Sequence, residues 1–173
     1  MAQGFYNVTT TIESALLEDP FVKTVTYGDI FKIDLTKQTI FPLSHFFVQN
    51  AIYDKTWTFT ISLLCMDLVD YSKEATTDEF LGNDNEQDVL NTQLAVINKL
   101  MERLNRGDLF TDLYQLTGTP TMEPFVDKYD NLLAGWAVTF DVVIPNDIGG
   151  CGHTYLRRTF SNSLITFSNN NNA

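Results

Sequence analysis

Three stretches of this 173-residue chain predict an α+β fold: a mainly antiparallel sheet packed by one long and one or two short helices, followed by an extended C-terminal arm. Trp57-Thr-Phe-Thr-Ile-Ser-Leu63 alternates large apolar side chains with hydroxyls, the period of a strand with one buried face. From Leu63 the alternation fails because Leu64, Met66 and Leu68 fill the second face, so this half of the strand is expected to be covered on both sides. Leu132, Ala134, Trp136, Val138, Phe140, Val142 and Ile144 alternate against Thr139 and Asp141, the strongest strand pattern in the chain. Between these strands, Leu90, Leu94, Ile97, Met101 and Leu104 recur at spacings of four, three, four and three, with Val89, Val96 and Leu100 widening the stripe. That spacing predicts a core-facing helix from Glu86 to Arg106, roughly 32 Å long at ~1.5 Å per residue. Asn85 is its predicted N-cap, Glu86 and Asp88 its first-turn acids, Lys99, Arg103 and Arg106 its closing bases, and Gly107 its C′ residue.

The remaining elements follow from local signals. Thr10 as N-cap with Glu13 three residues on predicts a short helix from Thr11 to Glu18, stopped by Pro20. Val22 to Thr26 reads as a strand, and Tyr27-Gly28-Asp29 as a turn into a second strand over Ile30 to Leu35, a hairpin. Phe41 to Tyr53 predicts a further strand with Pro42 at its start, and Asp54-Lys55 has the spacing of a hairpin turn into the Trp57 strand. After the long helix, Asp108 to Leu116 predicts one more helical turn, halted by Thr117-Gly118-Thr119-Pro120. Met122 to Tyr129 then predicts a strand and Asp130-Asn131 a turn. No segment repeats at a fixed period.

Length and composition point to one domain, residues 1–148, with an arm over 149–173. A hydrophobic content of 44% excludes a disordered chain, and no apolar run approaches the ~20 residues of a membrane helix, so a soluble protein is expected. The N-terminal residues lack the pattern of a signal peptide, which predicts synthesis in the cytosol. Cys65 lies in an apolar strand and Cys151 in a glycine-rich turn, and both are expected to be reduced. All 22 acidic residues and nine of the 11 basic ones precede residue 150, giving the body a net charge of −13, whereas the arm carries only Arg157 and Arg158. This balance argues against a partner held through nucleic-acid phosphates. The stretch from Asp70 to Asp88, with Glu74, Asp78, Glu79, Asp84 and Glu86 against Lys73, is expected to be a solvated acidic loop.

Motifs for chemistry are sparse. His45, beside Phe46 and Phe47, is expected to be a satisfied core or interface histidine rather than a catalytic one, and Cys65, between Leu64 and Met66, a core residue rather than a nucleophile. Cys151-Gly-His153 has no second ligand pair to complete a zinc site. Asp84, Glu86 and Asp88 echo a calcium loop, but Val89 and Ala95 stand where its glycine and closing acid belong. Asn7-Val-Thr9 matches a glycosylation acceptor without secretory context. No dinucleotide, Walker, nucleophile-elbow or HExxH motif occurs, so neither a catalytic residue, a metal nor a cofactor is predicted. An acidic body, a charged loop and an arm with little core of its own are the parts of an assembly subunit.

Four segments carry a resemblance: Ile40-Phe-Pro-Leu-Ser-His45, Leu63 to Asp70, Asn83-Asp-Asn-Glu-Gln-Asp-Val89 with Asn91-Thr-Gln-Leu94, and Ala134-Gly-Trp136 running into Phe140-Asp-Val-Val-Ile-Pro-Asn-Asp147. Over roughly residues 5–150 the chain resembles tail-completion or neck proteins of phages from Bacteroidetes-type hosts, including crAss-like phages, and its element order is similar to the tail terminator fold. The segment after Ile148 matches no motif of that family. The resemblance implies a virion structural protein, a six- or twelve-fold homo-oligomeric ring between portal and tail or within the tail barrel. Its partners would be portal and other tail or neck proteins, with DNA passing through the channel and no sequence-specific binding or membrane. A negative lumen suits such a channel, since it repels phosphates within a screening length of ~8 to 10 Å. Asp70, Glu74, Asp78, Glu79 and Asp84 are the residues expected at a neighbour or the lumen, and Arg157 and Arg158 those expected on an acidic neighbour. The alternatives are an assembly chaperone or adaptor outside the particle and, third, a small enzyme working through carboxylates.

Overall fold

A computed structural model describes residues 4–35, 38–69, 85–127 and 132–145. The fold is α+β: helix α1 (Gly4–Leu17), strands β1 (Thr24–Tyr27), β2 (Leu43–Tyr53) and β3 (Thr56–Leu68), helices α2 (Glu86–Arg106) and α3 (Asp108–Thr111), and strands β4 (Gln115–Asp127) and β5 (Leu133–Pro145). The strands form one sheet in the order β1-β2-β3-β5-β4, antiparallel throughout except for the parallel pairing of β1 with β2.

The alternation in β3 sets the layers. Phe59, Ile61, Leu63 and Cys65 point to the face covered by α1 and α2, where they join Val8, Ile12, Val96, Ile97, Leu104, Val138 and Phe140 in the main core. Leu64, Met66 and Leu68 enter a second, smaller core on the opposite face with Leu43, Leu133 and Phe125. Both faces of this half-strand are therefore covered, as the loss of alternation after Leu63 predicts. Trp136 Nε1 donates to the Leu90 carbonyl at 2.8 Å and ties α2 to β5. In β5 the glycine of Ala134-Gly-Trp136 has a steric reason: a Cβ on Gly135 would lie 2.1 Å from the Cys65 carbonyl oxygen.

The structure corrects several expectations. Residues 30–35 form no strand. The Asp29 carboxylate accepts from the Phe31 amide at 3.0 Å, which closes a turn and starts a 3-10 helix over Ile30–Lys32. Its apolar residues Ile30, Ile33 and Leu35 cover the smaller core, and Phe31 is left 94% exposed. With the expected hairpin gone, β1 instead pairs parallel with β2, reached through the crossover that holds this cover. Helix α1 begins seven residues before Thr11, because Val8, Ile12, Ala15 and Leu16 form its buried stripe. Thr10 thus lies mid-helix, where there is no free helix end for a capping box, and its neighbour Thr9 donates back to the Phe5 and Tyr6 carbonyls, both at 3.1 Å.

At α2 both termini stand where the sequence puts them, but with different chemistry. Asn85 makes no side-chain cap bond, and Gly107 is extended (φ −94°, ψ −152°) rather than left-handed. Gly107 is needed for space, since a Cβ there would meet Arg103 Cα at 2.7 Å. Helix α3 is shorter than predicted, and Thr117-Gly118-Thr119-Pro120 does not stop a helix. It lies inside β4, where the register with β5 shifts between Thr117 and Thr121 and Gly118 takes φ +72°. The expected turn at Asp130-Asn131 and the boundary at 148 lie outside the described residues.

Candidate interaction surface

The two groups with the most chemistry in the sequence are both committed to the core. His45 is fully buried, with Nδ1 2.9 Å from the Thr26 hydroxyl and Nε2 3.0 Å from the Gly28 carbonyl. A neutral ring satisfies both, accepting from Thr26 and donating to Gly28, and so fastens β1 to β2. Burial lowers its pKa, opposed by the Gly28 carbonyl and by Asp29. Burial pushes the Cys65 thiol up to about 12, and its one polar contact is the Ser44 hydroxyl at 3.4 Å. That thiol does not ionise at neutral pH. Among the described residues no three His, Cys, Asp or Glu side chains gather as metal ligands, and no helix is long and apolar enough to cross a membrane.

A cationic joint holds the helical layer together. Arg103 reaches Glu18 at 2.8 Å, Asp108 at 2.6 and 2.9 Å, and the Ala15 carbonyl at 3.2 Å, which links α1, α2 and α3 through one guanidinium. Its bonds hold the Asp108 carboxyl down at about 2. Lys99 pairs with the buried Asp19 carboxylate at 3.1 Å, and the other oxygen of Asp19 accepts from the Phe21 amide. Lys99 and Arg103 of α2 thus serve the packing of α1 and the turn after it, whereas Arg106 pairs with Glu102 of its own helix.

Among the described residues, the face of the sheet left without an α-helical cover is the outer one, opposite α1 and α2. Beyond the smaller core this face carries a ladder of hydroxyls and carboxylates beside the apolar Phe47, Ile52 and Val143. Gln49 donates to Ser62 at 2.6 Å, Ser62 lies 3.0 Å from the Thr139 hydroxyl, and Thr60 donates to Asp141 at 2.6 Å. The strand register continues the ladder to Thr121 and Glu123 of β4, opposite Thr139 and Ala137. None of the five strands contains a lysine or arginine. The alternation of β3 and β5 marked Thr58, Thr60, Ser62, Thr139 and Asp141 as solvent-facing. Their pairing across roughly 80 residues is a product of the tertiary fold and left no local trace.

Asp70, Glu74, Asp78, Glu79 and Asp84, together with Arg157 and Arg158, lie outside the described residues. The acidic stretch joins β3 to α2, whose ends meet in a small cluster of Val69, Val89 and Ala134. No protein-family model and no curated protein matches this chain by sequence. What fold and surface define is a class: an α+β domain with a helical layer on one sheet face and an acidic, hydroxyl-rich surface on the other.

Proposed function

We propose that the chain is a structural subunit of a phage virion that forms an oligomeric ring in the neck or tail, joins portal to tail and leaves a channel for DNA. The observation that carries this reading is the sheet: five strands without a lysine or an arginine, their outer face bearing Thr60, Ser62, Thr139, Asp141 and Glu123. Around a ring axis such a face repels phosphates, and its hydroxyls hold water that lubricates passage. The net charge of −11 reinforces it over the ~8 to 10 Å that salt leaves unscreened. Under this reading the subunit does no catalysis. Its lumen is the outer sheet face, with the acidic stretch containing Asp70, Glu74, Asp78, Glu79 and Asp84 at a neighbour or at the rim.

The test is stoichiometry in purified, nuclease-treated particles, by quantitative mass spectrometry against portal. A copy number equal to that of portal, or a simple fraction or multiple of it, is expected. Absence from particles overturns the ring and makes an assembly adaptor the leading function.

A further inference from the structure

We propose that the outer edge of β2 beyond Phe46, with the aromatic track beside it, is the docking site for the C-terminal segment, residues 146–173, of a second copy of this chain. Strand β1 pairs with β2 only from Leu43 to Phe46, and the Gly28 amide closes that pairing on the Phe46 carbonyl at 3.0 Å. Among the described residues no strand pairs with that side of β2 from Phe47 to Ile52, and Gln49 to Ile52 are exposed. An edge of this length is a template for one more strand. The opposite edge, β4, carries Pro120 and Pro124, which remove two ladder donors. β2 has no proline after Leu43.

Along this edge runs a chain of rings on the helix side of the sheet. Tyr6 meets Phe5 (6.0 Å between centroids), Phe5 meets Tyr27 (6.2 Å) and Phe59 (6.4 Å), and Phe59 leads through Trp57 (6.1 Å) to Tyr53 (4.9 Å). Tyr6 is 72% exposed, Tyr53 57% and Tyr27 48%, in a chain otherwise marked by acidic groups. Scattered exposed rings are ordinary, whereas contiguous ones beside an open edge mark a site of association.

Three properties of the last 28 residues match them to this site. The described chain ends at Pro145, which pairs with Thr56 at the same end of the sheet as the β2–β3 turn, so the segment departs beside the track. It contains a single acid, Asp147 near its start, and two arginines, and from residue 149 on it has no acid at all, against a body at −13. Leu164-Ile-Thr-Phe167 is apolar and β-branched, and an extended backbone sets Ile165 and Phe167 on one side, as a strand against the track requires. Fully extended, the segment spans roughly 90 Å, several times the width of a small domain, and reaches a neighbour. The choice of a second copy rather than the chain's own segment rests on the ring proposal, since a head-to-tail contact repeated about an axis closes a ring.

The experiment is hydrogen exchange and light scattering on the full-length chain at low and high concentration, with a synthetic peptide of residues 148–173 as competitor. Exchange at residues 47–52 is expected to slow roughly tenfold as the chain associates, the factor that about 1.4 kcal/mol represents. Excess peptide is expected to dissolve the oligomer while keeping 47–52 protected, and a peptide carrying Ile165→Asp and Phe167→Asp to do neither. Ala51→Asp in the protein, at an exposed position whose pairing with Phe59 puts it on the track side of the sheet, is expected to abolish association. Protection that does not change with concentration assigns the edge to the chain's own segment and overturns the proposal, as does an oligomer indifferent to the peptide. The ring reading fails separately: a chain missing from particles yet showing this exchange pattern loses the ring and keeps the docking site.

Discussion

Gln93 is the residue that departs furthest from its surroundings. It is 1% exposed on the buried face of α2, and neither its amide nitrogen nor its oxygen has a hydrogen-bond partner. An unmet buried amide costs about 1–3 kcal/mol, so Gln93→Leu is expected to raise stability by that order, read as a higher urea midpoint at unchanged m. A second strained position is Leu113, at φ +71°. The Tyr114 amide donates to the Leu109 carbonyl at 2.9 Å and the Leu113 amide to that of Phe110 at 3.1 Å, a Schellman closure with leucine where glycine is usual. Leu113→Gly is expected to gain about 0.5–1 kcal/mol and Leu113→Val to lose stability, both measurable by thermal unfolding. His45 gives the pH dependence. Burial lowers its folded pKa below that of the unfolded chain, so its contribution is complete above ~6.5 and is lost as pH falls from there toward the folded value. Urea midpoints at pH 7.5 and 5.5 are expected to differ in the native chain and to differ less in His45→Gln.

At the scale of elements, the helical layer depends on Arg103 more than on propensity. α1 is bound to α2 by the core and by the Glu18 and Ala15 contacts of Arg103, with Asp108 holding the same guanidinium from α3. Arg103→Met keeps the stem and removes the fork. Since the Arg103 side chain is only 18% exposed, the change is expected to cost about 1–3 kcal/mol and to speed hydrogen exchange in α1 before α2. Much of this layer was legible beforehand. The α2 stripe, its bounds at Glu86 and Arg106 and the double burial of late β3 all follow from local periodicity. The failures have local causes too. At residues 30–35 an Asp29 turn outcompetes alternation, and at Thr10 the buried stripe from Val8 to Leu16 carries the helix through the expected cap. At α2, Gln93 takes a core position while Leu90 and Leu94 are only half-buried, because the helix presents its Val89-Gln93-Val96-Leu100 row to the sheet.

For the whole molecule, charge is the property an assembly has to manage. Bodies at −13 repel one another, and under the ring proposal Arg157 and Arg158 are the complement that a neighbour supplies. Replacing both by glutamate is expected to lower the yield of assembled particles. Unchanged yield counts against an arm docked on an acidic surface. The sheet offers a second check. The native chain is expected not to shift duplex DNA in a gel at physiological salt, whereas Thr121→Lys with Glu123→Lys, both exposed on β4, is expected to produce salt-sensitive retention.

The sequence by itself determined the class of fold, the central helix and the identity of the core strands, since each depends on a period that a few neighbouring residues carry. It also determined that Cys65 belongs to the core, since its neighbours are apolar, while for His45 it left core or interface open and the packed sheet placed it in the core. Only the tertiary structure decided that β1 runs parallel to β2, that the segment after it turns back as a cover, and that Gln49, Ser62 and Thr139 line up in one polar row. Those arrangements join residues 13 to 77 positions apart, and such pairings are selected by the energy of the whole packed sheet rather than by any pattern along the chain.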